Sequence, residues 1–177
     1  IWAYGALQTF TNGGQGALLD GWYDTDLMEA VGTRRRTRAD SLPKGGKATL
    51  IAMQYLADHY GAVTYGRAQN LRYRLRNEVD ELLSSVDVLA LPTMPVLPFE
   101  LESDDAATDR AQHTITLCRN TATSSLTNHP SISIPCGFVD GVPVGLLLIA
   151  DHYDEQTLLR AADAFEKRIQ EPEPQNL

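Results

Sequence analysis

Two periods alternate along the chain. From Asp24, the apolar residues Leu27, Met28 and Val31 recur at helical spacing behind a side chain suited to cap a helix start. Leu42-Pro43 breaks that pattern. A second helix is predicted from about Lys44 to about Tyr60, with Leu50, Met53 and Ala57 inward and Gly61 as its stop. A longer one follows over Tyr65 to Ser85, where Leu71, Leu75, Val79, Leu82 and Leu83 recur at three and four residues. Arg72, Arg74, Arg76, Glu78 and Glu81 occupy its other faces.

The period then shortens. Val86 to Leu91 reads as a buried strand ended by Pro92, and Pro95 and Pro98 keep the next segment extended. Glu100 to Asp109 is an acidic loop, and Ala106 to Cys118 is expected to be helical. Asn120 to Ser125 reads as a loop whose polar side chains satisfy its own backbone. Ser131 to Pro135 alternates as a strand, Asp140-Gly141 signals a turn, and Val142 to Ile149 reads as a returning strand. Asp154 is suited to cap a last helix, whose stripe is Leu158, Leu159, Ala162, Phe165 and Ile169. Glu171-Pro172-Glu173-Pro174 ends order, so residues 170–177 are expected to fray. At the other end, Trp2, Leu7 and Phe10 share one helical face before Asn12-Gly13-Gly14. Strands separated by long helical stretches predict an α/β fold: a partial mixed sheet covered by helices, with a sheet edge left for a neighbour.

Composition narrows the function. The 177 residues are 43% hydrophobic and 21% charged, enough for a buried core and too apolar for a disordered chain. A formal net charge of -8 argues against a general nucleic-acid binder. Arg34 to Arg38 carries four arginines, but Asp24, Asp26, Glu29 and Asp40 surround them, which makes a solvated helix face. The two cysteines, Cys118 and Cys136, form no disulfide scaffold, and a reducing, cytoplasmic setting is expected. No apolar run reaches the ~20 residues of a membrane helix. The first residues carry no secretion signal and no initiator Met, so a processed or truncated product is expected.

Self-contained catalytic motifs are missing. Lys44-Gly45-Gly46-Lys47-Ala48-Thr49 lacks the first Gly and the Ser or Thr after Lys that a phosphate loop needs. Gly13, Gly14 and Gly16 lack the third glycine of a dinucleotide site. There is no Gly-x-Ser-x-Gly elbow and no His-Glu-x-x-His pair. His59, His113, His129 and His152 are scattered and read as surface or structural residues; no metal and no cofactor is expected. A thiol of Cys118 or Cys136 beside His113 or His129 is formally available, yet a buried Cys more often serves as a small apolar filler.

The distinctive stretch is Leu126-Thr127-Asn128-His129-Pro130, a strand ending Pro135-Cys136-Gly137, then Gly141-Val142-Pro143-Val144-Gly145-Leu146 and Asp154-Glu155-Gln156-Thr157-Leu158-Leu159-Arg160. In this order the sequence resembles the amidase signature family. Its carboxy-terminal hallmark is Leu-Thr-Gly-His-Pro, Pro-Cys-Gly, Gly-x-Pro-Val-Gly-Leu and Asp-Glu-x-x-Leu-Leu-Arg. Asp87 to Pro95 resembles the family's Pro-Thr strand, and Tyr65-Gly66-Arg67-Ala68 resembles a helix start of its nitrile-pathway, enantioselective-type branch. One departure is Asn128, where the family prefers Gly; Asn is the usual substitute if the backbone there is left-handed.

The resemblance covers nearly the whole chain and implies that residues 1–177 are the carboxy-terminal part of one amidase signature domain. Such enzymes hydrolyse a carboxylic amide to carboxylate and ammonia through an acyl-serine, using a Ser, a second Ser in a cis peptide and a Lys base. That signature is absent here, and none of Lys44, Lys47 and Lys167 lies in a matching motif, so no catalytic residue is carried over. The machinery is expected upstream of Ile1, and this chain alone is expected to be inactive. By resemblance, Trp2 and Cys118 match substrate-lining positions, and Asn120 and Thr121 edge the pocket. Where Cys118 stands, the glutamine-hydrolysing subunit of tRNA-dependent amidotransferases has an acid for the substrate ammonium, so Cys118 argues against that branch. The implied partners are a small-molecule amide and the amino-terminal half of the amidase, with a homodimer possible for the full enzyme and no nucleic acid or membrane. A non-catalytic α/β binding or scaffold chain of the same descent is the alternative.

Overall fold

In a computed structural model the described residues are 1, 5, 7, 22–98, 113 and 115–169. The expected helix near Trp2, the acidic loop and the tail lie outside them. The chain divides into two compact units, residues 1–70 with 106–111, and 71–105 with 112–177.

Among the described residues, the first unit is helical. Helix α1 (Thr25–Thr37) starts where Asp24 caps it: the carboxylate accepts from the Leu27 amide at 2.9 Å. Asp26 in its first turn and Arg34, Arg35 and Arg36 in its last complement the helix dipole, so the arginine cluster belongs to the helix end. After a single 3-10 turn at Ala39–Ser41, helix α2 (Lys44–Leu83) begins. Gly61 interrupts it with φ 57 and ψ -155, so the expected stop at Gly61 is a break between two helical stretches.

The second unit holds the sheet. Strands β1 (Val88–Pro92), β2 (Ser131–Val139) and β3 (Val142–Ala150) pair in the order β1-β3-β2, antiparallel throughout. Asp140 and Gly141 take φ 52 and 78, the two positive angles of the tight turn that matches strand twist, so β2 leads directly into β3. A bulge between Pro135 and Gly137 sets Cys136 out of register, and its thiol donates to the Val144 carbonyl at 3.4 Å. Four consecutive residues of β3, Leu147 to Ala150, are buried, so both faces of the central strand are covered.

The segment after Asn120 is helical where a loop is expected from its composition. Thr121–Thr127 forms helix α3, ended by Asn128 in the left-handed region at φ 62, ψ 31. Its polar composition hides it from hydrophobic periodicity. The hydroxyls turn back on the chain: Thr121 donates to the Cys118 carbonyl, and Ser124 and Ser125 to the Thr121 carbonyl.

Helix α4 (Glu155–Glu166) closes one face of the sheet. Asp154 caps it through the Thr157 amide at 3.3 Å. Leu158 and Ala162 pack with Ile134, Leu148 and Ala150, and Phe165 lies against this cluster. Leu159 departs from the predicted stripe and is exposed, because one turn of helix cannot bring both members of an adjacent pair onto the sheet. Among the described residues, no helix is long and apolar enough to cross a membrane.

Gly145 of β3 is where the sheet meets the Pro-Thr end of β1. Its carbonyl accepts from the Thr93 amide at 2.8 Å, and a Cβ there would lie 2.7 Å from Thr93 Oγ1 and 2.9 Å from Ser133 Oγ. Those two hydroxyls are hydrogen-bonded to each other above the glycine. Gly145→Ala is therefore expected to force them apart and to lower stability by about 1–3 kcal/mol, read from the urea midpoint.

Candidate functional site

Two sets of polar residues stand at opposite ends of β1 and β3. The first surrounds the carboxyl end of β1. Asn120 donates its side-chain amide to the Pro92 carbonyl at 2.7 Å, and Thr93 joins Ser133. Asn120 thereby ties the turn before α3 to the strand, and Thr121 is engaged with the Cys118 carbonyl at 3.2 Å. Cys118 is exposed beside them. Three of the four substrate-lining candidates, Cys118, Asn120 and Thr121, are thus neighbours in one turn. The fourth, Trp2, lies outside the described residues.

The second set was not visible as a group in the sequence. Asp80 lies on the last turns of α2, beside the buried Val79. His129 follows the left-handed Asn128 and precedes Pro130, which restricts it to extended backbone. His152 follows β3 by two residues. The register pairs Ser131 with Ile149, and the Ala150 amide donates to the Pro130 carbonyl at 3.1 Å. Hairpin pairing therefore sets the residues just before β2 beside those just after β3, and the two imidazoles meet despite their separation in sequence.

The rings stack with centroids 3.9 Å apart and 24° between planes. Both Nε2 atoms face one carboxylate oxygen: Asp80 Oδ1 is 3.0 Å from His129 and 3.3 Å from His152. The Nδ1 atoms are held from behind. That of His129 lies 2.8 Å from Thr127 Oγ1, whose own proton goes to the Thr123 carbonyl. That of His152 lies 3.1 Å from the Asn128 carbonyl. The His129 side chain is fully buried, that of His152 is 18% exposed, and Arg76 reaches the other Asp80 oxygen at 3.9 Å. An open depression of about 510 Å³ lies over this cluster, with Arg76, Ser124, Asn128, Tyr153 and Glu155 around the two histidines.

No thiol–histidine pair forms at His129: its ring nitrogens face Thr127 and Asp80, and Cys136 faces Val144. His59 belongs to the other unit, its ring stacked on Tyr55 and its Nδ1 at the Tyr55 carbonyl. Only the pairing of the strands flanking His129 and His152 could have announced the cluster.

A Pro-Thr strand, a Pro-Cys-Gly bulge and a glycine held under two hydroxyls mark this α/β domain as one with known relatives. The family model described as Amidase matches residues 19–159. The chain belongs to the amidase signature family. It is 37% identical over 166 residues to an uncharacterized protein in the nthA 5' region of Rhodococcus erythropolis, covering 92% of this chain and 82% of that protein. It is 41% identical over 146 residues to one subunit of the glutamyl-tRNA(Gln) amidotransferase of Exiguobacterium sibiricum, covering 81% of this chain and 29% of that subunit. A bacterial aryl acylamidase of the amidase signature family shares the fold at a TM-score of 0.60 and 22% identity, over 79% of this chain and 31% of its own. The native peptide amidase of Stenotrophomonas maltophilia does so at 0.53 and 24%, over 85% and 29%.

Burial, then the neighbouring His152, pushes the His129 pKa below its ordinary 6.5, and Arg76 adds to this; Asp80 and Asp151 oppose it without prevailing. The folded chain thus holds this proton less tightly than the unfolded one. Below pH 6.5 the unfolded chain takes up more protons, so the stability from neutral His129 is present above that value and lost as pH falls through the depressed one. Urea midpoints in chelator-treated buffer are expected to drop between about pH 7.5 and 5.5, and to drop less in His129→Gln.

Proposed function

We propose that this chain is the carboxy-terminal part of an amidase. It hydrolyses a carboxylic amide to carboxylate and ammonia only together with polypeptide that carries the Ser-Ser-Lys machinery. The observation that carries this is the family match over residues 19–159 in a chain that spans 29% of the amidotransferase subunit's length and lacks the nucleophile's Gly- and Ser-rich signature. Acyl transfer needs a nucleophile, a base and oxyanion donors in one place. Neither polar set offers that combination.

What this part supplies is a wall and a sheet. Asn120 bonds the Pro92 carbonyl at the carboxyl end of β1, with Cys118 and Thr121 beside it in the same turn, and this turn is the pocket wall in our reading. Asn120 sets the wall by holding Pro92, and Cys118 presents an uncharged surface. With no acid at Cys118, the substrate is an amide without the ammonium that a glutamine-type substrate carries. The exposed Leu71 and Leu82 lie on the predicted apolar stripe of α2, and β1 and β2 each keep an outer edge among the described strands. These are surfaces an amino-terminal half would cover. The proposed setting is the cytoplasm.

Co-expression with an amino-terminal half from a nitrile-pathway amidase tests the reading. Ammonia release from an aryl or aliphatic amide is expected in the complex and not from either half alone. A well-folded complex without turnover would sink the proposal and favour a scaffold role. Within an active complex, Cys118→Asp is expected to raise KM for neutral amides about tenfold or more, because an unpaired carboxylate would then face an apolar substrate.

A further inference from the structure

Asp80, His129 and His152 form an unsatisfied group. Asp80 Oδ1 and both Nε2 atoms are shielded from solvent and lack a hydrogen-bond partner, although they approach to 3.0 and 3.3 Å. Short contacts between polar atoms that are not aimed at one another are what a ligand set produces. The two carboxylate–imidazole spacings are those of edges of a coordination polyhedron. With metal–ligand bonds of about 2.0–2.2 Å, such edges measure roughly 2.8–3.1 Å in an octahedron and roughly 3.3–3.6 Å in a tetrahedron. All three ligand atoms lie within 4.8 Å of one another.

The imidazole orientations agree. The Asn128 carbonyl can only accept, so His152 carries its proton on Nδ1. Thr127 spends its hydroxyl proton on Thr123, so its oxygen accepts from His129 Nδ1 as well. Both neutral rings then offer an Nε2 lone pair, and the tethers behind them are of the kind that orients metal-bound histidine. A shielded carboxylate oxygen and two lone pairs repel unless a proton or a metal ion stands among them.

We propose that Asp80, His129 and His152 bind a divalent transition-metal ion of the zinc class. Two imidazole nitrogens with one carboxylate suit zinc, cobalt or nickel better than magnesium or calcium, which favour all-oxygen shells. The rings are now nearly parallel, so binding turns them until their lone pairs converge. The ion joins three segments that are distant in sequence: the end of α2, the α3–β2 junction and the turn after β3. Its role is to lock that junction, and it does not depend on the amide-hydrolysing reading.

Tag-free 177-residue chain, stripped with chelator, is titrated calorimetrically with zinc chloride at about pH 7.5. One equivalent is expected to bind with Kd of ~1 µM or tighter. Cobalt should bind in the same ratio and give the visible bands of a nitrogen–oxygen site. His152→Ala, at the rim, and the near-isosteric Asp80→Asn should each weaken binding about tenfold or more, and His59→Ala should not. Zinc should shift the imidazole nitrogen resonances of His129 and His152 in the unmutated chain, a reading that needs no variant to fold. Binding weaker than ~100 µM, an unchanged Kd in Asp80→Asn, or zinc shifts confined to other histidines would overturn the proposal.

Discussion

Strand β3 has a partner along both edges and buried side chains on both faces. Everything else in its unit is placed by that pairing. The tight turn at Asp140-Gly141 sets the β2 register, and β1 takes the opposite edge of β3. A slip of one residue would turn Leu148 and Ala150 away from α4 and replace them with Leu147 and Ile149, leaving the helix without its contacts. Gly145 adds a second check on register, because only a residue without Cβ passes beneath Thr93 and Ser133.

The same pairing builds both polar sets. At the amino end of β2 and the carboxyl end of β3 it brings His129 beside His152, and α2 presents Asp80 to both. At the other end it leaves the Pro-Thr corner of β1 to Asn120, Gly145 and Ser133. The two sets have different characters. The Pro-Thr corner is satisfied by its own hydrogen bonds and offers a shaped, uncharged wall. The histidine pair is held from behind by Thr127 and Asn128, while its front atoms stay unsatisfied. The two sets thus differ along the strand: the first closes the fold, and the second leaves shielded polar atoms without hydrogen-bond partners.

Segment 120–128 is helical despite its polarity because its side chains bond its own backbone. Its hydroxyls cap their own backbone, and Asn128 ends the helix in the left-handed conformation for which the family uses glycine. The backbone there serves the two histidines as well, since the Asn128 carbonyl orients His152 and the turn it makes launches His129 into the strand.

What the sequence determined by itself was everything carried by short-range pattern. Asp24 and Asp154 cap helices because their carboxylates reach amides three residues ahead. Asp140-Gly141 turns because both residues tolerate positive φ, and Gly61 breaks α2 for the same reason. The family motifs, read in order, led to the amidase fold. Helix α3 escaped because it has no apolar face to repeat, and Leu159 escaped because periodicity cannot tell which of two adjacent leucines the sheet will accept. The grouping of Asp80, His129 and His152 belongs to the tertiary structure alone. It depends on strand register and on where α2 passes, long-range quantities that leave no local periodicity.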